Sequence, residues 1–305
     1  MLDAALIGTG GMLPLPNRFL TSLMLRLDGR MMVIDCGECT QVTMKQLGWG
    51  FKNIDLICFT HYHADHISGL PGLLLTLGNS MREEPVMLAG PKGLKNVYEG
   101  LSRICPELPF KVIIKELEAG ESFNHSVFNV SSLKVNHRIT CFAYRIDVKR
   151  AGKFDVERAL SLNIPKNLWS KLQKGDVLEY EGKIYRPEDV LGKERKGISL
   201  SYCTDTRPTE DLPDFVKGSD LFICEGMYGE DEKLDKAIEK KHMIFSEAAT
   251  IAKKAEVKQM WLTHFSPSMP FPEEYIDNAR NIFPETYIGK DRKNTVLLFE
   301  EEENA

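Results

Sequence analysis

The stretch Thr60-His61-Tyr62-His63-Ala64-Asp65-His66 constrains this chain more than any other. It follows an apolar run, Ile54-Asp55-Leu56-Ile57-Cys58-Phe59, that reads as a buried strand. It precedes Ile67 to Leu77, which reads as a turn and then a helix. Three histidines and an aspartate in six residues at a strand end is metal-ligand density. In an extended segment His61 and His63 point to the same side and can share one ion. Asp65 and His66 begin the following turn and can face a second. Imidazole and carboxylate suit zinc, with bonds of about 2.0–2.2 Å, and also iron or manganese. The plain alternative is a solvated polar loop with chance histidines. The tight H-x-H-x-D-H order and the strand-then-helix setting weigh against it.

At 305 residues, 43% of them hydrophobic, the chain can build one large domain or two small ones around a full core. It has no apolar run of membrane-spanning length and no basic segment ahead of an apolar one, so neither a transmembrane helix nor a signal peptide is expected. The seven cysteines are odd in number and sit mostly in apolar, strand-like runs. That fits reduced, buried thiols in a cytoplasm. Cys36-Gly37-Glu38-Cys39 is formally C-x-x-C, and two structural thiols are favoured over a redox pair. The net charge of −5 is not the footprint of a general nucleic-acid binder. The charge is uneven, however. Residues 148–197 carry 12 Lys/Arg against 8 Asp/Glu, a net of +4, leaving −9 on the rest. Such a basic stretch is either a phosphate-contacting element or an ordinary solvated surface.

Other segments add candidates. Leu2 to Ile7 reads as a strand, and Gly8-Thr9-Gly10-Gly11 as a turn that lacks the dinucleotide-binding spacing. Leu20 to Leu27 and Arg30 to Ile34 read as a hairpin around Asp28-Gly29. Val127 to Val135 alternates as a strand and leads to His137, and Cys141 to Ile146 continues as the next. Residues 148–197 break the alternation and suggest short helices joined by turns. Gly197 to Cys203 is a strand that leads to Asp205, whose carboxylate could bridge two ions. Asp220 to Gly226 reads as a strand. His242 precedes a helix, and His264 ends the strand Gln259 to Thr263. The acidic tail, Glu300 to Ala305, is expected to fray.

Together these segments resemble the metallo-β-lactamase superfamily, and within it the ribonuclease Z family. Asp35-Cys36-Gly37-Glu38-Cys39-Thr40-Gln41 resembles the family's D-C-G-E-G-T-Q, with Cys39 for glycine. Arg18, Thr21 and Ser22 match A-R-N-x-S-S, with Phe19 for asparagine. Gly90-Pro91-Lys92-Gly93 resembles Y-G-P-x-G, and Thr204-Asp205-Thr206-Arg207 resembles G-D-T-R with Thr204 for glycine. The resemblance implies an α/β fold, the αββα sandwich, as a single domain over residues 1–305 with an inserted exosite arm at 148–197. It implies two zinc ions, with manganese or iron as alternatives. His61, His63 and His137 would hold one ion, and Asp65, His66 and His264 the other. Asp205 would bridge them, and Asp35 would support the ligands. Asp65 is the implied general base and His242 the implied proton donor. His125 is left over as a surface residue.

The implied activity is cleavage of precursor tRNA at its 3′ end, leaving a 3′-hydroxyl on the tRNA and a 5′-phosphate on the trailer. A cytoplasmic homodimer without membrane contact is implied as well. Two other readings compete. One is a small-molecule phosphodiesterase, arylsulfatase or lactamase-type hydrolase on the same fold. The other is a non-catalytic binding subunit, against which the intact ligand set argues. The arm, Asp205 and His242 together favour the nuclease.

Overall fold

The long apolar runs form strands that stop where the polar motifs begin. The structure, a computed structural model, describes residues 1–105 and 107–300. The acidic tail beyond Glu300 lies outside the described residues. The described residues divide into two compact units, one of residues 1–147 and 199–297, the other of residues 148–198 and 298–300.

The first unit carries two mixed seven-stranded sheets. From edge to edge, the first sheet runs Asn294–Leu297, Leu2–Gly8, Ser22–Leu27, Arg30–Ile34, Ile54–Cys58, Val86–Pro91 and Val112–Leu117. Its hairpin turns where expected, with Leu27 opposite Arg30. Asp28 and Gly29 both have positive φ, 49° and 77°, as a tight two-residue turn between twisted strands requires. Ile54–Cys58 is buried along its whole length and runs parallel to both neighbours. That is why its sequence is nearly continuously apolar rather than alternating. The helix Leu70–Asn79 buries Leu70, Leu73, Leu74 and Leu77 on one face. Each buried leucine contributes about 1.5–3 kcal/mol, so packing holds this glycine-containing helix more than propensity does.

The second sheet runs Thr286–Ile288, Met260–Thr263, Leu221–Glu225, Arg195–Cys203, Cys141–Arg150, Phe128–Val135 and Ser122–His125. Phe245, Ala248, Ala249 and Ala252 of the helix Phe245–Lys254 pack with Phe222, Met260 and Leu262 of this sheet. On the first sheet, Met44 and the leucines of Leu70–Asn79 pack with Val33, Ile57 and Leu88. The result is two sheets flanked by helices, the expected sandwich class. Val112–Leu117 and Ser122–His125 are strands that the sequence reading did not single out, and His125 is half-buried on the edge of the second sheet.

The second unit holds two short helices, Val156–Ser161 and Lys166–Gln173, and a hairpin of Leu178–Tyr180 with Lys183–Tyr185. Asp155 caps the first helix by accepting the Arg158 N–H at 2.9 Å. Ala159, Ile164, Leu168, Leu172 and Val190 form a small core, flanked by Trp169, whose indole N–H donates to the Ile164 carbonyl at 2.9 Å. All seven cysteines are free thiols, and all but Cys39 are buried. Among the described residues no helix is long and apolar enough to cross a membrane.

Candidate metal centre

Both sheets deliver most of the candidate side chains from the carboxyl ends of parallel strands, while His137 follows the antiparallel strand Phe128–Val135. In the first sheet Ile34, Cys58 and Ala89 stand in register. Asp35 and the Thr60–His66 motif therefore leave the same edge. In the second sheet Cys203 pairs with Cys224, and Glu225 with Thr263, so Asp205, Glu225 and His264 emerge together. Crevices at the carboxyl ends of parallel strands are where open α/β sheets bind ligands. Asp35, Asp205 and His264 each take a left-handed backbone, with φ of 59°, 43° and 58°. That conformation is unfavourable for a residue with a side chain and is stored where geometry is functional.

The motif itself differs in one detail from the expected turn. Ala64–Ile67 forms a single helical turn after His63, and Asp65 and His66 lie within it. The Met12 backbone N–H donates to Asp65 Oδ2 at 2.7 Å.

Two clusters of donor atoms result. In the first, His63 Nδ1 lies 2.9 Å from His61 Nε2 and 3.3 Å from His137 Nε2. Asp205 Oδ2 is 3.6 Å from the last two nitrogens. In the second, His264 Nε2 is 3.2 Å from His66 Nε2 and 3.3 Å from Asp65 Oδ2. Asp205 Oδ1 is 3.1 Å from both of these imidazole nitrogens. A tetrahedral ion with bonds of about 2.1 Å requires its donors about 3.4 Å apart, and both clusters fall close to that. Asp205 Oδ1 is buried and accepts no hydrogen bond of good geometry, so a cation there would satisfy an otherwise orphaned oxygen. The residues therefore fit a metal centre. All seven residues of the expected ligand set are brought together, with one oxygen of Asp205 turned to each cluster.

The charge balance agrees. Burial lowers the pKa of His61, reinforced by the nearby His66, and burial likewise lowers His63 and His137, which keeps their lone pairs free. Burial would also lower His66, but the carboxylates of Asp205, Asp35 and Asp65 outweigh it and raise its pKa well above the ordinary value. Burial would raise Asp65, yet His66 and His264 hold its carboxyl far below the usual range. Burial likewise opposes the ionisation of Asp205, but His264, His66 and His61 overcome it and hold its carboxyl well below the usual range. Three carboxylates drawing positive charge onto one buried imidazole describe a pocket built for a cation. Asp35 supports it from behind, with Oδ2 accepting from His66 Nδ1 at 2.8 Å. Burial raises the Asp35 pKa, against the pull of His66 and the hydrogen bonds from Thr60.

His242 stands beside both clusters, its ring 5.3 Å from that of His137 and 5.5 Å from that of His264. Its Nδ1 faces Glu225 Oε2 at 3.1 Å, and Glu225 also accepts the backbone N–H groups of Met243 and Thr206. Burial lowers the His242 pKa, but the Glu225 charge and hydrogen bond exceed it, and the value is pushed up to about 9. Glu225 lies in the segment Asp220 to Gly226, which sequence reasoning read as a strand without giving the acid a role. Its signal was an acid at the end of the otherwise apolar run Leu221-Phe222-Ile223-Cys224. Arg207 was noted only as part of a motif. It donates to the His242 carbonyl at 2.6 Å and to Glu247 at 2.8 Å, fixing the loop that carries His242. At the start of the helix Phe245–Lys254, Glu247 accepts the Ile244 N–H.

The centre opens into a cavity of about 570 Å³ lined by His63, Asp65, His137, Asp205, His242 and His264, with Arg138, Lys236 and Lys240 among its walls. Titratable groups with opposed shifts, next to clustered cation ligands and basic walls, suit hydrolysis of an anionic ester.

Comparison with known proteins narrows the chemistry. A family model described as anti-Pycsar protein Apyc1 matches residues 2–151, just under half of the chain. A protein named ribonuclease Z from Clostridium kluyveri is 54% identical over 303 residues, covering 99% of this chain and 100% of that protein. Another of that name from Agathobacter rectalis is 52% identical over the same span and coverage. Among solved structures, human tRNase Z, short form, aligns with a TM-score of 0.70 at 23% identity, over 97% of this chain and 100% of that one. The metallo-β-lactamase fold protein YhfI from Bacillus subtilis gives 0.70 at 18% identity, over 96% and 98%. At such low identity these two structures speak for the fold.

Proposed function

This chain belongs to the ribonuclease Z family, and from that premise we propose that it is a metal-dependent endoribonuclease that trims precursor tRNA at its 3′ end. The observation that carries the reading is Asp205, whose two carboxylate oxygens face one donor cluster each. His61, His63 and His137 would hold one zinc ion and Asp65, His66 and His264 a second, with Asp205 shared. Manganese and iron fit the same donors. Two such ions neutralise phosphodiester oxygens and lower the pKa of a bound water to near neutrality.

The protein's own groups divide the remaining work. Asp65, ionised and fixed by the Met12 N–H, is positioned to orient the attacking water and take its proton. His242, held protonated by Glu225, is the donor to the departing 3′-oxygen. Arg138, Lys236 and Lys240 supply positive charge for neighbouring phosphates. The second unit, with its basic stretch 148–197, acts as the arm that grips the tRNA body. The enzyme works in the cytoplasm as a homodimer, a reading supported by the family resemblance and tested by sedimentation of the intact protein.

The direct test is incubation of the metal-loaded protein with a precursor tRNA carrying a 3′ trailer. Cleavage should fall at the base of the trailer and leave a 3′-hydroxyl on the tRNA. A chain that hydrolyses only small phosphodiesters would overturn this reading.

A further inference from the structure

Thr60 is fully buried just past the strand Ile54–Cys58 and belongs to neither donor cluster, yet its hydroxyl reaches both. Oγ1 lies 2.9 Å from Asp35 Oδ2 and 3.1 Å from Oδ1. It is 3.0 Å from His61 Nδ1 and 3.4 Å from His66 Nδ1. The main chain holds Thr60 on both sides. Its N–H donates to Asp35 Oδ1 at 2.8 Å, and its carbonyl accepts the Phe142 N–H at 2.9 Å, which ties it to the second sheet.

Counting protons fixes the directions. A hydroxyl has one proton to give and two lone pairs to receive, whereas a carboxylate only receives. Asp35 already receives the Thr60 N–H and the His66 Nδ1–H. The Thr60 hydroxyl proton completes that set, so its lone pairs are left for His61 Nδ1–H. The other acceptor near His61 Nδ1 is Cys141 Sγ at 3.7 Å, and sulfur is a weak one. His61 is thereby held with its proton on Nδ1. The Nε2 lone pair then points to His63 Nδ1 and Asp205 Oδ2. Asp35 holds His66 the same way, directly.

We infer that Thr60 is a positioning residue that joins the two halves of the centre: through it, Asp35 orients a ligand of each ion, His66 directly and His61 by way of the Thr60 hydroxyl. The consequence is selective. Removing the hydroxyl weakens the ion at His61, His63 and His137 and spares the other.

This rests on the two-ion reading, and the experiment separates the two. Cobalt(II) is titrated into the metal-stripped, full-length chain against a competing chelator and followed by its visible absorbance. Two backgrounds are used, His264→Ala to leave the first cluster and His63→Ala to leave the second. In the first background, the near-isosteric Thr60→Val should lower cobalt affinity about 10–100-fold. Thr60→Ser should restore it, and Cys141→Ala should barely change it. In the second background, Thr60→Val should leave affinity nearly unchanged. Equal losses in both backgrounds, or no loss in the first, overturn the inference. A wild-type chain that takes up no cobalt overturns the two-ion reading as well. Should Thr60→Val not fold, nitrogen NMR of histidine-labelled, zinc-loaded wild-type protein decides. His61 should show a protonated, slowly exchanging Nδ1 and a metal-bound Nε2, and coordination through Nδ1 refutes the assignment.

Discussion

Replacing Glu225 by glutamine should move the alkaline limb of the pH–rate profile. Glu225 is the group that lifts His242 to about 9 against burial. Without its charge, burial remains, and the histidine should fall to its ordinary value of about 6.5 or lower. At pH 8 a donor of pKa 9 is about 90% protonated, and one of 6.5 about 3%. Cleavage of precursor tRNA should therefore drop roughly 30-fold at pH 8 and much less than that at pH 6. Seated cations would depress both values together, so the displacement between the two limbs is the quantity to read. The assay is kcat/KM from pH 5.5 to 9.5 for precursor tRNA and for a nitrophenyl phosphodiester, whose leaving group departs without a proton. Stability should move as well, because the glutamine NH2 leaves the Thr206 N–H without its acceptor, at about 1–3 kcal/mol. The sign for the native pair is that of a base with a raised pKa. Its stabilising contribution is complete below about pH 6.5 and disappears as pH rises through about 9. A rate loss of the same size at pH 6 and pH 8, or an equal loss on the nitrophenyl ester, would refute the proton-donor argument.

Other outcomes follow from the same geometry. His242→Ala should slow tRNA cleavage about 10²–10⁴-fold with metal content intact. Asp65→Ala should damage the tRNA and nitrophenyl reactions alike, and kcat for both substrates distinguishes the two roles. Elemental analysis should find close to two metal equivalents per chain, falling towards one in His264→Ala; a single equivalent unaffected by that change would sink the dinuclear assignment. Gly11→Ala should mimic that loss, because a Cβ there would lie 2.7 Å from the His264 ring, and retention of both ions would show that the loop yields. Replacing residues 153–194 by a short Gly/Ser linker should abolish tRNA cleavage but preserve nitrophenyl ester hydrolysis. Binding of tRNA to the intact chain should weaken steeply with added salt, and equal loss of both activities would place the arm in the catalytic core.

Much of the centre was legible because His61, His63, Asp65 and His66 lie within one stretch whose spacing is local. The resemblance supplied His137, Asp205, His242 and His264, which only tertiary structure brings near them. Glu225 stayed hidden because its role depends on strand register. Only the parallel pairing of Glu225 with Thr263 puts it beside the exit of His264. The Met12 N–H on Asp65 comes from a main-chain atom, which no side-chain pattern reports. The hairpin at Asp28-Gly29 was readable from its turn chemistry, whereas the short edge strand Ser122–His125 has little sequence signal of its own.

The pairing of the first strand with the last has a consequence for synthesis. Leu2–Gly8 lies between Ser22–Leu27 and Asn294–Leu297, with Leu2 opposite Leu297. Leu2–Gly8 therefore keeps one edge unpaired until Asn294–Leu297 has been made. His264, which completes the second cluster, follows His66 by 198 residues. A growing chain that has reached His66 holds the histidine motif but not yet the partner that completes it. A product that stops before Asp205 would carry the motif without the residue that faces both clusters.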